Sequence, residues 1–576
     1  MTLARDQAKR IAAAGEDLPR VAAARPVKRY RHPFAIALAF AICAIVLLPV
    51  ATLAAIALSG TGEDWPHLAR NVLPGATLTT LWLLAMVSAG TAIIGVATAW
   101  LVVGYDFPLR PFFSWALVLP LAVPPYLAAY AFAEFFLFTG PVQSAFRGMF
   151  GFDSPQEYWF PDLRSTEGAA FVLTCVLYPY VYLTSRVVFL MQGRNIADVA
   201  RTLGARPAKV FFRVLLPVAR PAIGAGVALV LMETINDIGA SEFLGVRTLT
   251  TAVFTTWINR SSLEGAAQIA MLMLVLVLLL LAAEQFARRR QRFHNVRGTQ
   301  LKARPPRARL SAAGQAGALV AVSLPVLFGF GVPLLVFGQY ASRRLDRLIN
   351  ADLGEAFLNS VFTAGSAALL TVGLALLLIN AVRLSRSPLT TILVRVASVG
   401  YALPGTIMGL GLLFALARID NAIDLFAREQ FGFSTGLMLT GSAAAVILAC
   451  TIRFLALAEG AVRSGMEKLP PHLDEAARSL GKTPAKSAAL VLLPLLQPAI
   501  LTALVLVFVD TVKELSATIL LRPFGFNTLA TLVYENASRA VVEDGAVAAL
   551  LIIGTATVPV ILLSRALARD RAASMS

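Results

Sequence analysis

The chain contains one pattern twice, as DVARTLGARPAKVFFRVLLPVARPAI at residues 198–223 and as EAARSLGKTPAKSAALVLLPLLQPAI at residues 475–500. At one constant offset, the copies pair Gly204 with Gly481, Pro207 with Pro484, Lys209 with Lys486, Pro217 with Pro494 and Pro221 with Pro498. Further along, TLTTAVF at 248–254 matches TLATLVY at 528–534, and Pro124 matches Pro404, both at a second, slightly larger offset. These matches predict a duplicated structural unit.

The composition around the repeats is that of a membrane protein. Of the 576 residues, 57% are hydrophobic and only 14% are charged, where a soluble domain carries about 25% charged residues. The first apolar run, 34–58, is too long for a signal peptide and suits a spanning helix. Eleven more runs follow, which we place at 76–103, 112–138, 168–190, 221–243, 266–283, 316–340, 358–381, 392–417, 436–458, 498–520 and 545–564. We therefore expect an all-α protein with twelve transmembrane helices, six in each parallel repeat.

The basic residues are concentrated in alternate loops. Eight Lys and Arg precede residue 33, and nine lie in the segment 284–315. The positive-inside rule then places the N-terminus, this segment and the C-terminus in the cytoplasm. This topology accounts for the net charge of +17, so the charge is no argument for a nucleic-acid partner.

Each copy of the repeated pattern predicts a helical hairpin on the cytoplasmic face. Gly204 and Gly481 suit a left-handed turn that ends one helix, and Pro207 and Pro484 suit the first turn of the next. A hairpin of this kind that occurs twice indicates a docking element for a cytoplasmic partner.

The hairpins resemble the EAA loop of the permeases of ABC importers. The residues that match its pattern, with Asp198 standing for the usual Glu, are Asp198, Ala200, Gly204 and Pro217 in the first copy and Glu475, Ala476, Ala477, Gly481 and Pro494 in the second. Together with Pro207 and Pro484 they are the candidate ATPase-coupling residues. The resemblance implies a MetI-like fold in a bacterial inner membrane. It also implies coupling to two copies of a cytoplasmic ATPase and uptake from a periplasmic solute-binding protein.

The resemblance divides the chain into five parts. These are a basic N-terminal segment (1–32), a first permease unit (33–283, with its loop at 198–223), a linker (284–315), a second unit (316–567, with its loop at 474–500) and a C-terminal tail (568–576).

We expect no enzymatic activity in this chain. AARSLGKT at 476–483 ends like a phosphate-binding loop, but it begins with Ala476 where that motif requires Gly. ATP hydrolysis is therefore expected in a separate subunit. The four His and three Cys are scattered, which gives no reason to expect a cofactor or a resident metal.

Charged residues inside the apolar runs are candidates for a translocation path, because such residues are costly in a membrane. From these charges we select Glu233, Asp237, Glu242, Asp510, Lys513 and Glu514 as candidates, with Glu134 as a weaker one. The pairs Glu233/Asp237 and Asp510/Glu514 have i, i+4 spacing, so we expect each pair on one helix face. Two interpretations stay open: the acids line the path, or Lys513 neutralises Asp510 or Glu514 in a structural pair.

The substrate prediction has two sources. Among the candidate residues, Lys513 is the one cation that the acids face. Their carboxylate oxygens are hard ligands, which suit a highly charged cation. The stretches 233–250 and 510–530 also resemble ferric-iron permeases that fuse two six-helix units, apart from Ser516, where that group has Pro. Ferric iron is therefore the expected substrate. The alternatives are permeases for thiamine, polyamines or phosphonates and, in another class, an ion-coupled secondary transporter.

Overall fold

The computed structural model describes residues 33–59, 65–190, 207–289, 307–346, 350–385, 387–470 and 473–573. In these ranges eleven helices are long and apolar enough to cross a membrane, and one bent pair supplies a twelfth. We number them as the first to twelfth spans: Pro33–Ser59, Trp65–Gly104, Arg110–Ala122 with Pro125–Phe135, Thr166–Val188, Phe211–Asn236, Leu263–Ala283, Ala312–Arg343, Ala351–Ser385, Gly405–Phe431, Ala444–Glu467, Pro484–Val512 and Val542–Ile561. The expectation of an all-α protein with twelve spans is confirmed.

Shorter elements connect the spans. The shorter helices are Pro141–Phe150, Pro207–Val210, Gly239–Phe243, Leu249–Ile258, Pro388–Ala397 with the turn Ser398–Ala402, Leu473–Ser479, Thr518–Leu521 and Leu529–Ser538. Two two-residue strands, Tyr105–Asp106 and Ala308–Arg309, pair in parallel. This pairing holds the loop after the second span against the end of the central linker, so both lie on one side of the protein.

Two spans differ from the continuous helices that the apolar runs predicted. The run 112–138 forms two helices that meet at 96°. The run 392–417 is divided between the short helix that starts at Pro388 and the ninth span that starts at Gly405. Both breaks occur at the matched prolines Pro124 and Pro404, whose ψ angles of 144° and 141° are extended. Proline has no N–H to donate and disfavours a helical conformation in the residue before it, so the preceding helix ends there.

The fifth and eleventh spans also end earlier than predicted, at Asn236 and Val512 instead of near residues 243 and 520. Asp237 has an extended backbone, and Glu514 follows the last turn of its helix. Each is followed by a short second helix. The expectation that the acids of each pair share a helix face is therefore wrong, because the second acid of each pair lies beyond the helix end.

The repeat is visible in hydrogen bonding as well as in sequence. The Leu249 N–H donates to Thr80 Oγ1 at 2.9 Å, and the Leu529 N–H donates to Ser360 Oγ at 2.7 Å. Donor and acceptor occupy matching positions in the two halves, at the same offset as the matched prolines. The same long-range contact thus joins the second span to the helix after the fifth, and the eighth span to the helix after the eleventh.

The cores do not follow the repeat. Apolar residues of the first span are buried with the eighth, ninth and tenth spans of the second half, as in the cluster containing Ile42, Leu53 and Ile407. Residues of the seventh span, such as Phe337, are buried with the third and fourth spans of the first half. The first helix of each repeat therefore packs on the other half, and the two halves interlock.

Candidate translocation path and coupling hairpin

A cavity of about 80 Å³ lies where the two halves meet, at the ends of the fifth and eleventh spans. A volume of about 10–15 Å³ on this measure holds one water, so several waters fit. Its polar lining consists of Tyr126, Tyr180, Glu233, Asn236, Asp237, Tyr401, Arg453, Asp510, Lys513, Glu514 and Ser516. Five of the predicted path residues are thus brought together, although they do not lie on two helix faces.

Because the helices end early, the second acid of each pair, Asp237 or Glu514, can cap the short helix that follows. The Asp237 carboxylate accepts the Ala240 N–H at 2.9 Å, and the Glu514 carboxylate accepts the Ala517 N–H at 2.9 Å. Both acceptors lie three residues before their donors, at the start of the short helix that follows the break. Orphan N–H groups at a helix start need such acceptors. The carboxylates therefore stabilise the breaks at which the cavity opens.

Two ion pairs from the second half of the chain line the cavity, and one of them is buried. Arg453 Nη1 lies 2.7 Å from Glu514 Oε1, and Lys513 Nζ lies 2.8 Å from Asp510 Oδ1. The side chains of Arg453 and Glu514 are only 9% and 2% exposed. Lys513 therefore pairs with Asp510 and not with Glu514. Arg453 of the tenth span is thus a second cation among the cavity acids, from outside the candidate set.

The acids of the first half have different partners. Glu233 accepts the Tyr401 hydroxyl at 3.1 Å, and Asp237 accepts a backbone N–H. Neither forms an ion pair with another described residue. Four carboxylates and two cations thus line the cavity, so the excess charge is negative when all are ionised.

The two outermost acids lie outside this cavity. Glu242 accepts the Tyr534 hydroxyl at 2.8 Å, and Glu134 accepts the Tyr340 hydroxyl at 2.6 Å. Both bonds join the two halves. These contacts give Glu242 and Glu134 a role in holding the halves together, and the structure does not place them with the other candidates.

Asn236 is a cavity residue that the candidate set missed. Its side-chain Oδ1 accepts the Gly405 N–H at 2.5 Å, and its backbone carbonyl accepts the Ser516 hydroxyl at 2.9 Å. It thereby bridges the end of the fifth span to the start of the ninth span and to the segment after the eleventh. Asn236 occupies the position of Lys513 in the repeat, which is a signal that could have identified it.

Arg453 was also missing from the candidate set, and so were the three cavity tyrosines. Arg453 is a charge in the middle of an apolar run, which is itself a sign of function or pairing. Nothing in their local sequence distinguishes Tyr126, Tyr180 and Tyr401, which meet only through packing of the third span, the fourth span and the turn before the ninth.

The second hairpin has the geometry that its sequence predicts. Gly481 has φ of +76°, and the Lys482 N–H donates to the Ala477 carbonyl at 3.1 Å, as in a Schellman helix end. The Thr483 side chain then caps the next helix, with Pro484 in its first turn. A Cβ on residue 481 would meet no atom within 4 Å, so backbone conformation, not space, favours glycine.

The remaining hairpin residues are distributed as follows. Glu475, Ala476 and Ala477 lie on the helix Leu473–Ser479, and Pro494 lies near the start of the long helix Leu493–Val512. In the first copy Pro207 begins a helix and Pro217 lies near the start of Leu216–Asn236. Asp198, Ala200 and Gly204 lie outside the described residues.

The family model described as the binding-protein-dependent transport system inner membrane component matches residues 91–292 and 379–572. The chain belongs to this family. The two matched segments contain both hairpins and all the cavity acids, so the family assignment covers the residues discussed above. It makes the chain a multi-pass component of an inner-membrane transport system.

Three relatives show the range of the similarity. The Fe(3+)-transport system permease protein FbpB 2 of Haemophilus influenzae is 27% identical over 493 residues, which are 84% of this chain and 88% of that protein. The putative ferric transport system permease protein FbpB 1 of the same organism is 24% identical over 421 residues, 70% of this chain and 63% of that protein. A putative 2-aminoethylphosphonate transport system permease protein, PhnU of Salmonella choleraesuis, is 28% identical over 204 residues, 35% of this chain and 70% of that protein.

Proposed function

We propose that this chain is the permease of an ATP-driven importer that carries ferric iron across the bacterial inner membrane. A periplasmic solute-binding protein delivers the iron, and two copies of a cytoplasmic ATPase drive the cycle. We retain the boundaries 33–283 and 316–567 for the two permease units, so that each unit contains one hairpin and one acidic pair.

The charge of the central cavity is the observation that carries the substrate proposal. Glu233 and Asp237 face the cavity and have no cationic partner among the described residues. Carboxylate and phenol oxygens are hard ligands that suit Fe³⁺. A phosphonate would instead need cations or helix N-termini, and the two cations present are held by Glu514 and Asp510. Both FbpB relatives are also similar over most of this chain, whereas PhnU is similar over about a third.

The coupling proposal rests on the second hairpin. Leu480, next to the turn, is 79% exposed, and the turn geometry holds it at the tip of the hairpin. An exposed apolar side chain on a defined hairpin is suited to insertion in a cleft of an ATPase subunit. We expect the first hairpin to contact the second ATPase copy in the same way.

Alternating access in this scheme needs the halves to separate at the cavity. The contacts Tyr401–Glu233, Gly405–Asn236 and Ser516–Asn236 all join one half to the other. They are hydrogen bonds between polar groups, so opening replaces them with bonds to water at moderate cost. Movement of the hairpins by the ATPase would shift the equilibrium between halves that are joined at the cavity and halves that are separated there.

Cysteine labelling tests the proposed topology, in which both termini and the linker 284–315 are cytoplasmic. Cysteines introduced at residue 300 and at residue 575 should react with a membrane-impermeant maleimide only after the membrane is opened. A cysteine at Trp159, in the loop between the third and fourth spans, should react in intact cells. Labelling of both cytoplasmic positions in intact cells would overturn the topology.

Radioiron uptake tests the substrate. A deletion strain grown under iron limitation should lose ⁵⁵Fe³⁺ uptake and recover it with the wild-type gene. Thiamine and spermidine uptake should stay unchanged, and ATP depletion should abolish iron uptake. Unchanged iron uptake with lost thiamine uptake would assign the permease to thiamine, and uptake that survives without ATP would favour an ion-coupled transporter.

A further inference from the structure

A second cavity, of about 280 Å³, lies away from the central one, between the eighth span, the helix that starts at Pro388 and the tenth span. It shares no lining residue with the central cavity. Its apolar lining comes from Ile379, Val382, Val394 and Met466. Its polar lining consists of Thr391, three arginines and two glutamates, and nothing in the transport scheme above uses it.

The arginines give this cavity a cationic rim. They are Arg383, Arg395 and Arg463, and the glutamates are Glu459 and Glu467. Glu459 is 2% exposed and forms an ion pair with Arg463 one helical turn away. Among the described lining residues the arginines outnumber the glutamates, and an apolar floor lies next to them.

The corresponding place in the first half has aromatic side chains. Trp115 stands at the repeat position of Arg395, and Tyr182 stands at the position of Glu459. The Tyr182 side chain is fully buried, and its hydroxyl donates to the Ser114 carbonyl at 2.9 Å. Arg186, which matches Arg463, donates to the same carbonyl at 3.0 Å. The first half therefore has Trp115 and Tyr182 where the second half has the charged residues Arg395 and Glu459 of the cavity lining.

The surroundings of the second cavity place it at the edge of the membrane. On the same short helix as Arg395, Leu389 and Ile392 are 51% and 54% exposed. Exposed aliphatic side chains next to arginines are typical of a lipid-facing surface at the headgroup level. Arg383 Nη2 also donates to the Pro484 carbonyl at 3.3 Å, so the cavity lies at the hairpin end of the second half.

We propose that this cavity binds the phosphate headgroup of an anionic phospholipid, with part of an acyl chain against its apolar floor. Arg395, at the mouth, and Arg383, deeper in the cavity, contact the phosphate. The bound lipid steadies the eighth span where it contacts the second hairpin. A basic pocket between helices at the cytoplasmic end of a membrane protein is a known kind of lipid headgroup site.

Native mass spectrometry of the full-length permease in detergent tests the proposal. Dioleoylphosphatidylglycerol should bind with at least one saturable site, and dioleoylphosphatidylcholine should not compete for it. Arg395→Gln should weaken binding by about tenfold, the equivalent of one charge-assisted hydrogen bond. Arg418→Gln, an exposed arginine of the ninth span outside the cavity, is the matched control and should bind lipid like the wild type.

A second variant copies the first half. Arg395→Trp with Glu459→Tyr should fill the cavity and abolish saturable lipid binding, with melting temperature recorded to confirm that the protein is folded. Inorganic phosphate in large excess over the lipid is the probe for a free-anion site. Displacement of phosphatidylglycerol by inorganic phosphate, or equal lipid binding by the wild type and Arg395→Gln, would overturn the lipid proposal.

The binding test is independent of iron import, so its failure would leave the transport proposal intact. A functional readout follows from the contact with Pro484. Adding phosphatidylglycerol to proteoliposomes of phosphatidylcholine should raise ATP hydrolysis by the wild-type importer but not by Arg395→Gln. Equal stimulation of both proteins would count against a role for the bound lipid in coupling.

Discussion

The two halves place the same backbone break at the central cavity but surround it with different charges. In the second half, Glu514 and Asp510 each have a cation, Arg453 and Lys513. In the first half the positions that correspond to these cations hold Val176 and Asn236, both of which also line the cavity. The two halves therefore share the path of the backbone, but among the described lining residues only the second half contributes cations to the cavity.

This difference bears on the two interpretations of the membrane acids. The acids of the second half are ion-paired, as a structural role requires. Those of the first half accept hydrogen bonds from a tyrosine hydroxyl and from backbone N–H groups and form no ion pair with a described residue, which leaves their charge available to a cation. We infer that the halves have divided the two roles, and the following changes test that division from the largest expected effect to the smallest.

Arg453→Met should have the largest effect on stability. It leaves the buried Glu514 without its cation, and breaking a buried pair in this way costs about 3–5 kcal/mol. We expect a large fall in the melting temperature and yield of the purified permease. The matched change Val176→Met, at the repeat position in the first half, should cost much less, because it removes no charge.

Adding Glu514→Gln to Arg453→Met should restore part of the loss, because the amide oxygen can still accept the Ala517 N–H without a buried charge. A wild-type melting temperature for Arg453→Met alone would contradict a structural role for the pair.

Thr80→Ala and Ser360→Ala should have the next largest effect, and the two should be nearly equal. Each leaves a buried backbone N–H, that of Leu249 or Leu529, without its acceptor. The expected cost is about 1–3 kcal/mol for each, measured by thermal unfolding. Thr80→Ser keeps the hydroxyl and serves as the control. If only one of the two variants is destabilised, the contact is present in both halves but contributes to stability in one of them only.

Asp237→Asn should affect transport more than stability. The amide oxygen still accepts the Ala240 N–H, but the charge that faces the cavity is lost. We expect uptake of ⁵⁵Fe³⁺ to fall by about tenfold, which corresponds to about 1.4 kcal/mol, with unchanged assembly. Glu242→Gln, outside the cavity, is the control. If Asp237→Asn melts early and its uptake per folded molecule is normal, the first-half acids are structural as well.

Gly481→Ala should have the smallest effect on the permease itself. A side chain in the left-handed conformation costs about 1–2 kcal/mol, and no neighbour obstructs the added Cβ. We expect a slightly less stable hairpin, weaker co-purification of the ATPase and reduced uptake. Gly481→Asn should be milder, since Asn tolerates positive φ. Gly460→Ala is the control: this glycine lies in a helix and an added Cβ would also meet no close neighbour, so the variant should bind the ATPase normally. Equal ATPase binding by all three variants would refute a docking role for the turn.

The sequence alone determined the membrane class, the twelve spans, the duplication and the turn at Gly481. These features depend on local composition and spacing: apolar runs long enough to cross a bilayer, a glycine after a helix, and positions that match at nearly constant offsets. The prolines Pro124 and Pro404 match in the repeat, but the helix breaks that they cause are seen only in the structure.

Only the tertiary structure decided which charges meet. The partner of Glu514 is Arg453, 61 residues earlier in the chain, and the partner of Glu233 is Tyr401 in the other half. The exchange of the first and seventh spans between the halves is equally invisible in the repeat. Such contacts depend on how twelve apolar helices pack against one another, and an apolar run specifies that a helix is buried in lipid or protein without specifying which neighbour it faces.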